Sequence, residues 1–278
     1  MNTPSVIFAI FAIILLRQEA LAQFLEPNCG LSKTTTKIIH GQSAEPGTNP
    51  WLAYIYRTVN QSEPNLVCIG SLIHKEFVLT ATHCIHDDDI LTVRLGANNS
   101  LVGSPTSKDY AVKKAFKNEY FSRWIYFDDI AILRLGEEVQ FNDFIRPICI
   151  FTDSTKVPDI KTFQTAIWEK TQNDKISGEL KILHVNEYHR SQCEETFWKN
   201  MTENQICAGP RTGVTCVRVS GAPLIQVINI NGTLRYAQFG IASFGASDCR
   251  GLEVYTRVSS YIEWILDVLG SDTLEKQS

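Results

Sequence analysis

Three short stretches of the 278-residue chain carry residue types capable of nucleophilic chemistry. Leu79-Thr80-Ala81-Thr82-His83-Cys84 holds an imidazole beside a cysteine. Phe127-Asp128-Asp129-Ile130 places two carboxylates ahead of the apolar run 130–135. Thr215-Cys216-Val217-Arg218-Val219-Ser220-Gly221-Ala222-Pro223 holds a hydroxyl in a loop bounded by Gly and Pro. Taken singly, each reads as ordinary structure: a histidine after a strand, a turn aspartate, a loop serine. Brought together, they are the parts of an activated nucleophile. A hydroxyl needs an imidazole to take its proton, and the imidazole needs a carboxylate to fix its tautomer.

A metal reading competes at one of these stretches. His83-x-x-His86 followed by Asp87-Asp88-Asp89 has ligand-like spacing. Against it, Cys84 suits a disulfide and an Asp run suits a solvated loop. His40, His74, His184 and His189 form no cluster in sequence, and no Gly-rich phosphate loop is present. No metal and no cofactor is therefore expected.

The elements that must position these residues read as short strands. Segments 67–73, 76–80, 90–95, 130–135, 181–185, 224–230 and 238–244 are rich in β-branched and apolar residues, with Gly, Pro, Asn or Asp clusters between many of them. Many short strands at this spacing indicate an all-β sandwich or barrel. One helix is clear. After Ser259 and Ser260, the residues Tyr261, Ile262, Ile265, Leu266 and Leu269 recur at helical spacing, with Gly270 expected to end it.

Composition sets the compartment. A net charge of −4 with 44% hydrophobic, 20% charged and 10% aromatic residues excludes a strongly basic nucleic-acid binder and a disordered acidic chain. Residues 6–16 form an apolar run followed by Ala20-Leu21-Ala22, the layout of a cleaved secretory signal rather than of a bilayer span. The expected organisation is a signal peptide at 1–22, a short prosegment at 23–37, one domain at 38–270 and a polar tail at 271–278. Asn60, Asn98, Asn200 and Asn231 begin Asn-x-Ser/Thr triplets in polar stretches, where a glycan would be solvated. Eight cysteines could form four bridges in an oxidising compartment, and counting alone leaves 105 pairings open.

In the order His, Asp, Ser, the three stretches resemble the chymotrypsin–trypsin family of serine proteases. Ile38-Ile39-His40-Gly41 is similar to the family's activation-site start, with Lys37 before it. Pro147-Ile148-Cys149, Trp168, Ser243-Phe244-Gly245 and Val254-Tyr255-Thr256-Arg257-Val258 match further ordered landmarks. The resemblance implies an all-β fold of two antiparallel six-stranded barrels with a C-terminal helix. It makes His83, Asp129 and Ser220 the catalytic positions. It pairs Cys68 with Cys84, Cys193 with Cys207, Cys216 with Cys249, and Cys29 with Cys149. A further family bridge is missing at both ends, where Phe163 and Gln226 stand.

The departures from the family lie beside Ser220. The family has Gly-Asp-Ser-Gly-Gly-Pro; this chain has Arg218-Val219-Ser220-Gly221-Ala222-Pro223. Without the Asp, an ammonium at Ile38 has no carboxylate to receive it, and an unpaired buried charge costs several kcal/mol. Arg218 replaces the glycine whose N–H helps hold the oxyanion, a donor whose loss costs about 2.7–4 kcal/mol elsewhere. In the specificity pocket, with Ser243, Phe244 and Gly245 on its wall, Val214 replaces a charged floor. Glu253 falls where a Gly leaves that pocket open, unless it is a surface carboxylate. The expectation is a secreted, extracellular protease homologue with impaired catalysis, binding a protein or peptide and acted on by an upstream trypsin-like protease. It would use no nucleic acid or membrane. The runner-up is an active secreted serine endopeptidase. A third class, a lectin or adhesion protein, would place His83, Asp129 and Ser220 without relation to one another.

Overall fold

The computed structural model describes residues 23–33, 47–59, 63–97, 103–170, 176–210, 216–245 and 251–275. Six strands make the first barrel: β1 (Leu52–Thr58), β2 (Asn65–His74), β3 (Phe77–Thr80), β4 (Ile90–Leu95), β5 (Lys108–Lys117) and β6 (Ala131–Leu135). They close in the order β1-β2-β3-β6-β5-β4. Every pairing is antiparallel. Ile55, Ile69, Leu79, Val93, Ile132 and Leu133 are wholly buried. Stiff β-branched side chains suit this pleated interior, and closure leaves no edge for another chain to pair with.

The second barrel uses β7 (Thr162–Lys170), β8 (Ile176–Tyr188), β9 (Gln205–Gly209), β10 (Cys216–Arg218), β11 (Pro223–Ile230), β12 (Thr233–Gly245) and β13 (Glu253–Arg257). The sheet order β7-β11-β12-β13-β9-β8 closes through a β7–β8 pairing. β10 and β11 lie along the same edge of β7: Arg218 faces Ile167, and Leu224 faces Thr165. The loop carrying Ser220 is thus an interruption in what would otherwise be one continuous neighbour of β7. The paired barrels have the architecture of the chymotrypsin-like fold.

Where Phe163 and Gln226 stand in place of a bridge, other contacts join β7 to its neighbours. Phe163 is buried with its ring 5.6 Å from that of Phe239. The Gln226 side chain donates to the Thr162 carbonyl at 2.7 Å. Among the described residues three bridges are formed: Cys29–Cys149, Cys68–Cys84 and Cys193–Cys207. Cys249 lies outside the described residues, so its proposed pairing with Cys216 does too.

Two helical features differ from the sequence expectation. A helix α1 (Arg190–Phe197) precedes β9, and only Cys193 of it is buried. Its sequence therefore lacks the apolar period that marks a helix. The C-terminal segment starts as a 3₁₀ turn (Val258–Tyr261) and becomes α2 (Ile262–Glu275), running through Gly270 rather than ending there. A Cβ at Gly270 would meet nothing within 4 Å, so no close approach or turn requires a stop at that position. No helix among the described residues is long and apolar enough to cross a membrane. The signal and activation segments of the sequence reading, including Lys37 and Ile38, lie outside the described residues.

Candidate functional site

Both barrels contribute to one site. The 3₁₀ turn Thr82–Cys84 directly after β3 carries His83, and Asp129 stands just before β6. The β3–β6 pairing sets Thr80 opposite Ala131, which brings these two strand ends together. The Cys68–Cys84 bridge then ties the His83 turn to β2.

Asp129 is wholly buried and its carboxylate is fully engaged. His83 approaches through Nδ1 at 2.7 Å to Oδ2, and its backbone N–H donates to Oδ1 at 2.9 Å. Ser243 Oγ donates to the same Oδ2 at 2.5 Å. A buried carboxylate is tolerated only when its lone pairs are filled, and three donors fill them here. The Asp129 contact fixes Nδ1 as the protonated nitrogen of a neutral imidazole, leaving Nε2 as the basic atom. Ser243, placed by sequence on the pocket wall, uses its hydroxyl to hold Asp129. The Ser-Phe-Gly landmark located this residue but carried no sign of that contact.

The segment leading into Asp129 is bent, with Tyr126 at φ 58° and Asp128 at φ 55°. Such left-handed conformations need outside support in residues other than Gly. The second barrel and the 3₁₀ turn that follows it supply it. Tyr261 donates its hydroxyl to Asp128 Oδ1 at 2.6 Å, Gln205 donates to the Tyr126 carbonyl at 3.2 Å, and Thr256 donates to the Asp129 carbonyl at 2.9 Å. Burial, followed by the Asp128 hydrogen bond, pushes the Tyr261 phenol well above its usual range, so it remains a donor.

Ser220 is half-buried, and its loop is pinned across the barrel interface. Its carbonyl accepts from the Ile69 N–H at 3.0 Å, and Gly221 N–H donates to Ala242 at 3.0 Å. Gly221 has φ +76°, and a Cβ there would stand 2.2 Å from Ile69 O and 2.5 Å from Thr80 Oγ1. Only glycine lets the loop approach β2 and β3 so closely. Gly221→Ala is therefore expected to cost about 2–4 kcal/mol of stability, from backbone strain and overpacking together. Urea denaturation measures it; a loss below about 0.5 kcal/mol would contradict this role.

Val219 is 3% exposed and belongs to the main apolar core. The backbone of Arg218 closes β10. Glu253 is also buried, with Oε2 accepting the Tyr255 hydroxyl at 2.5 Å. Of its two sequence readings, pocket or surface, the surface one fails: position 253 opens β13 opposite Gly245, inside the sheet. Val214 lies outside the described residues.

The metal reading also fails at its own residues. Cys84 Sγ lies 3.9 Å from His83 Nε2, but it is bonded to Cys68 and offers no thiolate. His86 turns to Arg57 and Asp89, at 2.8 and 3.3 Å, and not toward His83. Of the glycosylation triplets, Asn200 and Asn231 are exposed, the latter with Gly232 at the β11–β12 hairpin tip, whereas Asn60 and Asn98 lie outside the described residues.

The trypsin family model matches residues 38–265. Melanization protease 1 of Drosophila melanogaster is 31% identical over 273 residues, covering 87% of this chain and 67% of the relative. The proclotting enzyme of Tachypleus tridentatus is 32% identical over 260 residues, covering 86% and 68%. Among solved structures, the Drosophila Grass clip serine protease of the Toll pathway superposes with a TM-score of 0.79 at 26% identity, over 92% of this chain and 78% of that one. Sequence, barrels and the His83–Asp129 pair agree: the chain belongs to the trypsin family of serine proteases.

Proposed function

We propose that this is a secreted member of the family whose catalysis is impaired, retained as a binding or regulatory protein in extracellular proteolysis. The observation that carries the reading is Val219, an alkyl side chain buried beside Ser220. Family activation rests on a carboxylate there, paired with the amino terminus released by cleavage. With Val219, an inserted Ile38 ammonium meets hydrocarbon, and its desolvation is uncompensated. Arg218 compounds the defect at the oxyanion donor. His83, Asp129 and Ser220 keep the catalytic positions, but the loop that should organise the oxyanion does not follow the family pattern. The formed disulfides, the apolar leader and the glycosylation triplets support an oxidising extracellular setting. Two relatives are named as a melanization protease and a proclotting enzyme. By that analogy, the partner here is a protein or peptide and the activator a trypsin-like protease cutting after Lys37.

One observation favours an active endopeptidase instead: the His83–Asp129–Ser243 contacts are intact. A fluorophosphonate probe separates the two. The secreted protein, cut after Lys37, is expected to show no labelling above its Ser220→Ala variant. Labelling that Ser220→Ala abolishes would establish the active enzyme.

A further inference from the structure

Ala20-Leu21-Ala22 ends the apolar leader, and a cut after Ala22 makes Gln23 the first residue of the chain. The surroundings of that residue are built. The Gln23 carbonyl accepts from Thr152 N–H at 2.9 Å, and Leu25 N–H donates to the Ile150 carbonyl at 3.1 Å. Between them, Phe24 forms an antiparallel bridge with Phe151 and is 4% exposed. The Phe151 ring lies 6.2 Å from that of Phe239, in the core of the second barrel. Chain ends fray unless they are tied down. This end is tied from its first carbonyl onward, and Gln23 itself is half-buried.

A free α-ammonium is badly placed there. It stands on the same residue as the carbonyl that accepts Thr152 N–H, so its positive field opposes that donor. Partial burial also strips some of the water that would solvate it. Gln23 carries the means to remove the charge. Neither its backbone nitrogen nor its carboxamide has a hydrogen-bond partner among the described residues. An α-amine titrates close enough to neutrality for a useful fraction to be uncharged and nucleophilic. Attack on its own Cδ closes a γ-lactam, and a reaction within one residue has the advantage of high effective concentration. The N–Cδ bond forms, the Cδ–Nε2 bond breaks, the amine gives up one proton, and Nε2 leaves as ammonia. No oxidant or co-reactant is consumed.

We propose that Gln23 is a modification site: once the leader is removed, it cyclises to pyroglutamate, and the neutral lactam caps the docked end of the prosegment. The proposal rests on the reading of residues 1–22 as a secretory leader cut after Ala22. It is independent of whether Ser220 is a working nucleophile. Because Cys29 is bonded to Cys149, the cap stays with the domain after a cut behind Lys37. A lactam also offers no amine to an aminopeptidase, so the end that seats Phe24 is protected from stepwise trimming.

The test uses the full chain, purified after secretion. Free amines are reductively methylated on the intact protein before digestion, so that ring closure during handling is not counted. Mass spectrometry of the N-terminal peptide should show a start at position 23, no label on its α-nitrogen, and a mass one ammonia below that of the open glutamine form. A peptide starting at Gln23 with a methylated amine would overturn the cyclisation while upholding the leader reading. A start at any other residue would overturn both. Gln23→Asn tests the cap, because its side chain is one carbon too short to form this lactam and the charged amine remains. In hydrogen exchange, Thr152 N–H should exchange severalfold faster in Gln23→Asn than in the parent. Ile69 N–H, which donates to Ser220, should be unchanged. Equal Thr152 exchange in the two proteins would overturn the capping role.

Discussion

Changing Val219 to Asp together with Arg218 to Gly should give a protein that, once cut after Lys37, labels at Ser220 and hydrolyses peptide esters at least about 10²–10³-fold faster than the parent. Each change repairs a different step. Glycine at 218 restores the backbone freedom needed to aim an N–H at the developing oxyanion. Aspartate at 219 supplies the partner that would draw an inserted Ile38 ammonium inward. The two should be far from additive, because an aimed donor is of little use in a loop that is not organised. Stability gives a second readout. Position 219 is only 3% exposed within apolar surroundings, so Val219→Asp in the uncut chain buries an unpaired carboxylate and should lower the urea midpoint. Cleavage after Lys37 should then recover much of that loss in the variant and change the parent little. If the doubly changed, cleaved protein stays inert to the probe, the impairment lies away from this loop, and the buried Glu253 becomes the next position to change.

Much of the frame is legible in the sequence, and the reasons differ by element. Strands such as β6 and β11 announce themselves as apolar, β-branched runs. β1 gives no such signal although it begins with five buried residues, because a strand enclosed on both faces shows no alternation. β5 carries four lysines and is largely exposed, so its sequence reads as a solvated segment; its partners β4 and β6 alone make it a strand. At the site, residue type and order identified His83, Asp129 and Ser220 through family likeness. The supporting contacts had no local signal. Ser243, Thr256 and Tyr261 reach the Asp129 segment from 114, 127 and 133 residues away, and a hydroxyl in a strand or turn has many uses. Glu253 illustrates the same limit from the other side. A carboxylate at a strand start usually meets water, and here a tyrosine two residues on, facing the same side of the strand, lets it be buried.

Removing the Cys29–Cys149 bridge should be the most destabilising of the disulfide deletions, and its consequence should change on cleavage. The bridge spans 120 residues, against 16 for Cys68–Cys84 and 14 for Cys193–Cys207. On the chain-entropy account, closing a loop of about 100 residues is worth about 4.7 kcal/mol, and one of about 15 residues about 3 kcal/mol. In the uncut chain, Cys29→Ser with Cys149→Ser should therefore lower unfolding free energy by about 4–5 kcal/mol, more than either other paired deletion. The segment around Cys29 is also held by direct contacts. Leu25 N–H donates to Ile150 and Gly30 N–H to Pro147, while the buried Arg235 guanidinium donates to the Pro27 and Cys29 carbonyls at 3.0 and 2.7 Å. Phe24 packs on Phe151 with ring centroids 5.1 Å apart. After a cut behind Lys37, the bridge no longer closes a loop; it joins two chains. Without it, the short chain is a ligand held only by those contacts, and stability follows mass action. The cleaved double-serine variant should thus show a urea midpoint that rises with protein concentration, whereas the cleaved parent's should not move. Midpoints that are independent of concentration in both would mean that the non-covalent contacts of the segment contribute nothing to the folded domain.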